Sequence, residues 1–183
     1  MDKSMEYVQM CNNQLIQLLW EPQPGDFVYT HTRKKEIVVL GYDWIGVKAM
    51  RESGHLTVEF ACTEEKFEIA KELPSPSVAI KRGTYIFVRL DNPVWLPRQD
   101  QIQELIINSP LGEEQNFGHT FVLVYALYDF AEEIRVPGED YPFDTLEKLW
   151  LAFYMWKEHR LRWDSELKAW MPKNKAGDIN DGI

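Results

Sequence analysis

Cysteine is scarce in this chain: Cys11 and Cys62 are the only two. Neither sits in a C-x-x-C pair or a Cys/His cluster, which speaks against a structural zinc and against a disulfide framework. One bridge between them stays open, but two buried thiols are expected, as free cysteine commonly packs inside. Long apolar runs are missing as well. The longest, Phe121 to Tyr128, falls far short of the roughly 20 residues a membrane-spanning helix needs. The opening residues Met1 to Glu6 lack a basic stretch followed by an apolar one, so no signal peptide is expected and the protein reads as cytoplasmic. Basic charge is in the minority, with 20 Lys and Arg against 29 Asp and Glu and a formal net charge of −9. That argues against a general nucleic-acid binder, which needs a cationic surplus to neutralise phosphates. It suits a protein that meets a basic partner. The four histidines, His31, His55, His119 and His159, are scattered without metal-ligand spacing. There is no G-x-S-x-G, no glycine-rich phosphate loop and no Walker lysine. No metal and no cofactor is expected.

What the chain does have is apolar mass: 45% of its 183 residues are hydrophobic, enough for a sizeable core. The pattern predicts an α+β protein with an N-terminal helix, a small antiparallel β-sheet or barrel-like subdomain, and a C-terminal helical subdomain. The expected divisions are 1–91, 92–172 and a frayed tail at 173–183. Val8, Cys11, Leu15 and Leu18 recur at helical steps, which predicts one helix over Ser4 to Trp20, stopped by Pro22 and Pro24. Strands are predicted at Phe27 to Tyr29, Glu36 to Leu40, a short piece through Val47, Leu56 to Phe60, Val78 to Ile80 and Thr84 to Leu90. Ser53-Gly54 and Lys81-Arg82-Gly83 read as turns, and Thr63 to Leu73 suits a short helix. Pro97 fits the first turn of a helix carrying Ile102, Leu105 and Ile106, ended by Asn108-Ser109-Pro110. Leu111 to Gly118 reads as a polar loop, with Gly112 and Gly118 in the ordinary use of glycine. His119 to Ile134 favours a helix. Asp144 to Leu167 is predicted as one long helix, with Asp144 and Glu147 forming a capping box.

Three features are candidates for function. Arg98-Gln99-Asp100-Gln101 is an unusual polar string, with Arg98 and Asp100 able to hold a ligand; the same residues also simply suit a helix start. Asp129, Glu132, Glu133, Glu139, Asp140, Asp144 and Glu147 form an acidic stretch opposed only by Arg135. Such carboxylates can imitate a phosphate backbone and occupy a basic groove, and they also fit a solvated surface. Seven tryptophans are many for this length. Most belong in a core, while Trp163 and Trp170 are candidates for an interface, and the aromatic helix around Trp150 for a homodimer contact.

Trp20-Glu21-Pro22-Gln23-Pro24-Gly25-Asp26, the string Trp95 to Gln103 and the string Glu147 to Phe153 resemble a family of uncharacterised phage and prophage proteins of Firmicutes. Trp163 and Trp170 resemble that family's closing tryptophans. The likeness covers short islands and leaves out about Tyr42 to Ile86. It implies a phage or mobile-element origin, hence a host-cell setting, and brings no activity with it. The expected function is that of a phage accessory protein that binds a host protein with a basic nucleic-acid-binding groove, in one version an anti-CRISPR-like inhibitor of a defence nuclease. The partner-binding residues are then Asp129, Glu132, Glu133, Glu139, Asp140, Arg98, Asp100 and Trp163. The alternative is a nucleic-acid binder of phage replication or regulation, using aromatics of the β-rich half beside Arg33, Lys34, Lys35, Lys81 and Arg82. An enzyme built from dispersed carboxylates has no motif to support it.

Overall fold

The computed structural model describes residues 1–23, 25–30, 37–39, 47–52, 55–63, 78–82, 85–91, 93–135, 137–138 and 140–173. The protein is an α+β mixture of helices and small antiparallel sheets. It divides into two compact units: Met1–Met10 together with Arg98–Ile183, and Cys11–Pro97.

The N-terminal helical stretch is two pieces, α1 (Met5–Cys11) and α2 (Gln14–Gln17), not one helix to Trp20. Asn13 is the reason. Its backbone is extended and its side-chain oxygen accepts a hydrogen bond from the Leu15 N–H at 2.8 Å, the competition that makes asparagine a helix cap. The break re-phases the apolar face. Val8 and Cys11 are buried as the periodicity predicts, but Leu15 and Leu18 are exposed and Ile16 is buried instead. Cys11 is buried; the side chain of Cys62 lies outside the described residues.

The Cys11–Pro97 unit holds two sheets. β1 (Phe27–Tyr29) pairs with β2 (Ile37–Val39) on one side and β7 (Val94–Leu96) on the other. β3 (Val47–Glu52), β4 (His55–Thr63), β6 (Tyr85–Asp91) and β5 (Val78–Arg82) form the second sheet, in that spatial order. Lys81 and Arg82, expected in a turn, belong to β5, where Arg82 is the register partner of Tyr85. The predicted turn at Ser53-Gly54, Gly83 and the predicted helix after Thr63 lie outside the described residues. On its free edge β7 is met by a side chain. Gln17 accepts from the Trp95 N–H at 2.9 Å and donates to the Trp95 carbonyl at 3.1 Å, as a neighbouring strand would. Trp20 stacks on Trp95 with centroids 6.2 Å apart, and its indole N–H donates to buried Asp26 at 2.8 Å. Asp26 also accepts from the Gln23 N–H, and Gly25 has φ 94°, a backbone region that glycine enters freely. The Trp20-to-Asp26 string is thus a folded corner.

The other unit is built on α6 (Leu146–His159), in which Trp150 through Trp156 are all buried. A helix apolar all round has to be surrounded. α3 (Gln99–Ile107), α5 (Thr120–Ile134) and β8 (Leu161–Asp164) pack against it. Phe130 of α5 meets Phe153 and Trp156 at 5.5 and 5.7 Å between centroids. Four predictions are corrected here. Pro97 precedes the helix, whose N-cap is Arg98. The expected loop after Ser109 contains α4 (Pro110–Glu114). The long helix to Leu167 stops at Arg160, which takes a left-handed φ of 57°, and β8 then pairs with β9 (Ala169–Pro172). The cap of α6 is Thr145, not Asp144: its hydroxyl accepts from the Lys148 N–H.

Candidate functional site

At ~100° per residue, the sequence of α5 makes two apolar stripes on opposite sides. Leu123, Leu127, Phe130 and Ala131 form one, and all four are buried. Phe121, Val124, Tyr125 and Tyr128 form the other, at i, i+3, i+4 and i+7. That second stripe is open: Phe121 is 91% exposed, Tyr125 66% and Tyr128 59%. Scattered exposed apolar side chains are ordinary, whereas a contiguous aromatic stripe is a candidate interaction surface.

The stripe runs into carboxylates. Glu132 lies one turn beyond Tyr128 on the same side, and Asp129 and Glu133 flank it; all three are exposed. Tyr141 closes over this end, its hydroxyl donating to Glu132 at 2.6 Å. That hydrogen bond, together with the charge on Glu132, raises the Tyr141 pKa above the ordinary phenol value. Arg135 sits 5.1 Å from the Tyr141 ring centroid and 3.9 Å from Glu132. Lys173 pairs with Glu133 at 3.3 Å and lies 3.7 Å from the Trp156 ring centroid. These are exposed pairs and contribute little stability individually, but they fix the carboxylates in place beside the stripe.

The eight residues singled out from sequence do not gather into one site. Asp129, Glu132 and Glu133 share α5, and exposed Asp140 adjoins Tyr141. Glu139 lies outside the described residues. Arg98 and Asp100 pair with each other at the start of α3, at 3.1 Å. Burial works against ionisation of Asp100, yet the hydrogen bonds and charge of Arg98 prevail and hold its carboxyl below the usual range. Trp163 is buried: it meets Trp170 edge-on at 5.2 Å and donates to Glu6 at 3.2 Å. Trp170 donates to the Met10 carbonyl at 2.9 Å. Both indoles hold the N-terminal segment in place. The aromatic residues of α6 are likewise committed to the interior. The exposed stripe of α5 was missed because the run from Phe121 to Tyr128 is apolar on both sides, and only the packing shows which side is covered.

A second polar cluster is structural. Lys148, 3% exposed, donates to Glu6 and Asp144, each at 2.7 Å, and lies 3.8 Å from Asp2. The Thr145 hydroxyl donates to Asp2 at 2.7 Å. Burial opposes the charge on Lys148, but its hydrogen bonds to Asp144 and Glu6 and the charges of Glu6 and Asp2 outweigh it and raise its pKa. Among the described residues no three His, Cys, Asp or Glu side chains are grouped as a metal site requires, and no helix is long and apolar enough to cross a membrane. No family model, no curated protein and no solved structure matches the chain.

Proposed function

We propose that this protein acts by binding another protein, through the exposed face of α5 and the carboxylates around it. The observation that carries the reading is the open stripe Phe121–Val124–Tyr125–Tyr128, bordered by Asp129, Glu132 and Glu133. An apolar centre with a charged rim is how protein interfaces are built. The rim is acidic and the whole chain carries a formal −9, so the fitting partner is basic on its contact surface. A host protein with a nucleic-acid-binding groove, such as a defence nuclease, meets that description.

The test is affinity capture from a bacterial host lysate, with and without nuclease treatment, followed by direct titration of the captured protein. One protein should be retained after nuclease, and Glu133→Lys with Asp140→Lys should weaken its purified complex by about tenfold or more. No retained protein would overturn the reading. Capture that vanishes with nuclease would replace it with nucleic-acid binding.

A further inference from the structure

The charge along α5 runs against its own dipole. A helix favours acidic residues at its N-terminus and basic ones at its C-terminus. α5 has no acidic residue in its first turn, no basic residue in its last, and no hydrogen bond from the side chain of its cap residue His119. Its carboxylates Asp129, Glu132 and Glu133 all lie toward the C-terminal end, where Arg135 at the cap reaches Glu132 and Lys173, from outside the helix, reaches Glu133. A surface helix with no partner gains nothing from that arrangement. A second helix of the same kind, laid against it in the opposite direction, corrects it from both sides.

We infer that the aromatic stripe of α5 is covered by a second copy of this chain, the two helices packing antiparallel. With Val124 and Tyr125 at the two-fold axis, Phe121 of each copy faces Tyr128 of the other, so the apolar stripe is self-complementary. Asp129 and Thr120 each lie about 7 Å from that centre along the helix. The acidic end of each copy is therefore beside the uncapped N-terminal turn of the other. A parallel pair is disfavoured because it sets Asp129, Glu132 and Glu133 against themselves. The inference rests on the reading that this face is an interface. The two occupants exclude each other on the stripe: the weak dimer covers it in the free chain, and a basic partner that takes it displaces one copy.

Size sets the strength. Large aromatic side chains bury on the order of 150–250 Å² each, so Phe121, Tyr125 and Tyr128 with their valine neighbours supply roughly 500 Å² per copy. A standard stable interface takes about 800 Å² per partner. The dimer thus falls in the weak, transient class of interface.

Sedimentation velocity on the purified chain, from about 1 μM to about 500 μM, reads this without any host protein. The weight-average mass should rise from monomer to dimer across that range. Phe121→Ala with Tyr125→Ala should stay monomeric with an unchanged circular dichroism spectrum, since both side chains are exposed. Glu132→Lys should weaken the dimer about tenfold, because it sets a cation beside the positive end of the other helix. In a parallel pair the same change sets a cation beside Asp129 and Glu133 of the other copy and strengthens the dimer. A wild-type chain that stays monomeric throughout, a double variant that dimerises as well as wild type, or a Glu132→Lys chain of unchanged or raised affinity would each overturn the inference. A monomer that still captures a basic host protein would leave the proposed function standing without it.

Discussion

Lys148 shows how far a residue's role can lie from its appearance in the chain. Two positions into a helix and followed by Leu149-Trp150, it reads as an ordinary solvated charge. In the fold it is buried among Asp2, Glu6 and Asp144, the first two more than 140 positions away in sequence. The ammonium is the group that lets the N-terminal carboxylates lie against α6. Lys148→Met keeps the aliphatic length and removes the cation, which leaves Asp2 buried without its charge partner. Breaking a buried pair from one side typically costs about 3–5 kcal/mol. With Glu6 and Asp144 partly in water, a loss of about 3 kcal/mol is expected here, read as a lower urea midpoint at unchanged slope. A loss below about 1 kcal/mol would mean the cluster is solvated after all.

At the scale of elements, the corner between α3 and α4 decides how the chain enters the helical unit. The Ser109 hydroxyl accepts from the Gly112 N–H at 3.0 Å and stands 2.6 Å from the Glu158 carboxylate of α6. Gly112 is not a loop glycine. A Cβ built there would lie 2.1 Å from the Ile106 carbonyl oxygen and 2.6 Å from that of Ile107. Both obstacles are backbone, so neither can swing aside. Gly112→Ala should therefore destabilise the protein by about 2 kcal/mol or more, where the same change in an open helix would stabilise it by about 1 kcal/mol. Thermal unfolding of the variant gives the sign directly. Most strands and the helices α3 and α5 were legible as elements, because period-two and 3.6-residue patterns survive in sequence. The ends were less so. Nothing local distinguishes Arg160 from the residues before it, yet the chain turns there to pair Trp163 with Trp170 across a hairpin.

At the scale of the molecule, Asp2, Lys148, Tyr154 and His159 of the helical unit should make stability depend on pH. Burial lowers the His159 pKa against the pull of Glu158. Asp2 is also lowered: burial raises it, but hydrogen bonds from Ser4 and Thr145 and the charge of Lys148 prevail. For both, the unfolded chain binds more protons, so their contributions are present above about 6.5 and about 3.9 and are lost as pH falls through the folded values. Lys148 is raised, and burial with Glu158 pushes Tyr154 up to about 12. Their contributions are present below the unfolded values near 10 and are lost as pH rises through the folded ones. Urea unfolding at a series of pH values should show a plateau from about 7 to about 10, with a first decline on the acid side near pH 6 that His159→Gln removes. A stability maximum near the sequence isoelectric point of 5.0 would contradict this assignment.

The chain by itself determined the α+β class, the antiparallel strands and the presence of an aromatic C-terminal helix, because residue periodicity is a local property. It also placed an acidic stretch around Asp129 to Asp140. It did not determine which apolar faces are covered. Trp95, Leu96, Ile102, Trp150, Leu151 and Phe153, from the strings around Trp95 and Trp150, are all interior, so those strings describe packing more than contact with a partner. Trp163 looked like an interface residue and is a core one. Phe121 opens the longest apolar run of the chain and is almost fully exposed. Only the tertiary structure decides between these, since burial depends on what other elements bring to a surface. In α5, where both sides are apolar, α6 covers one and leaves the other exposed.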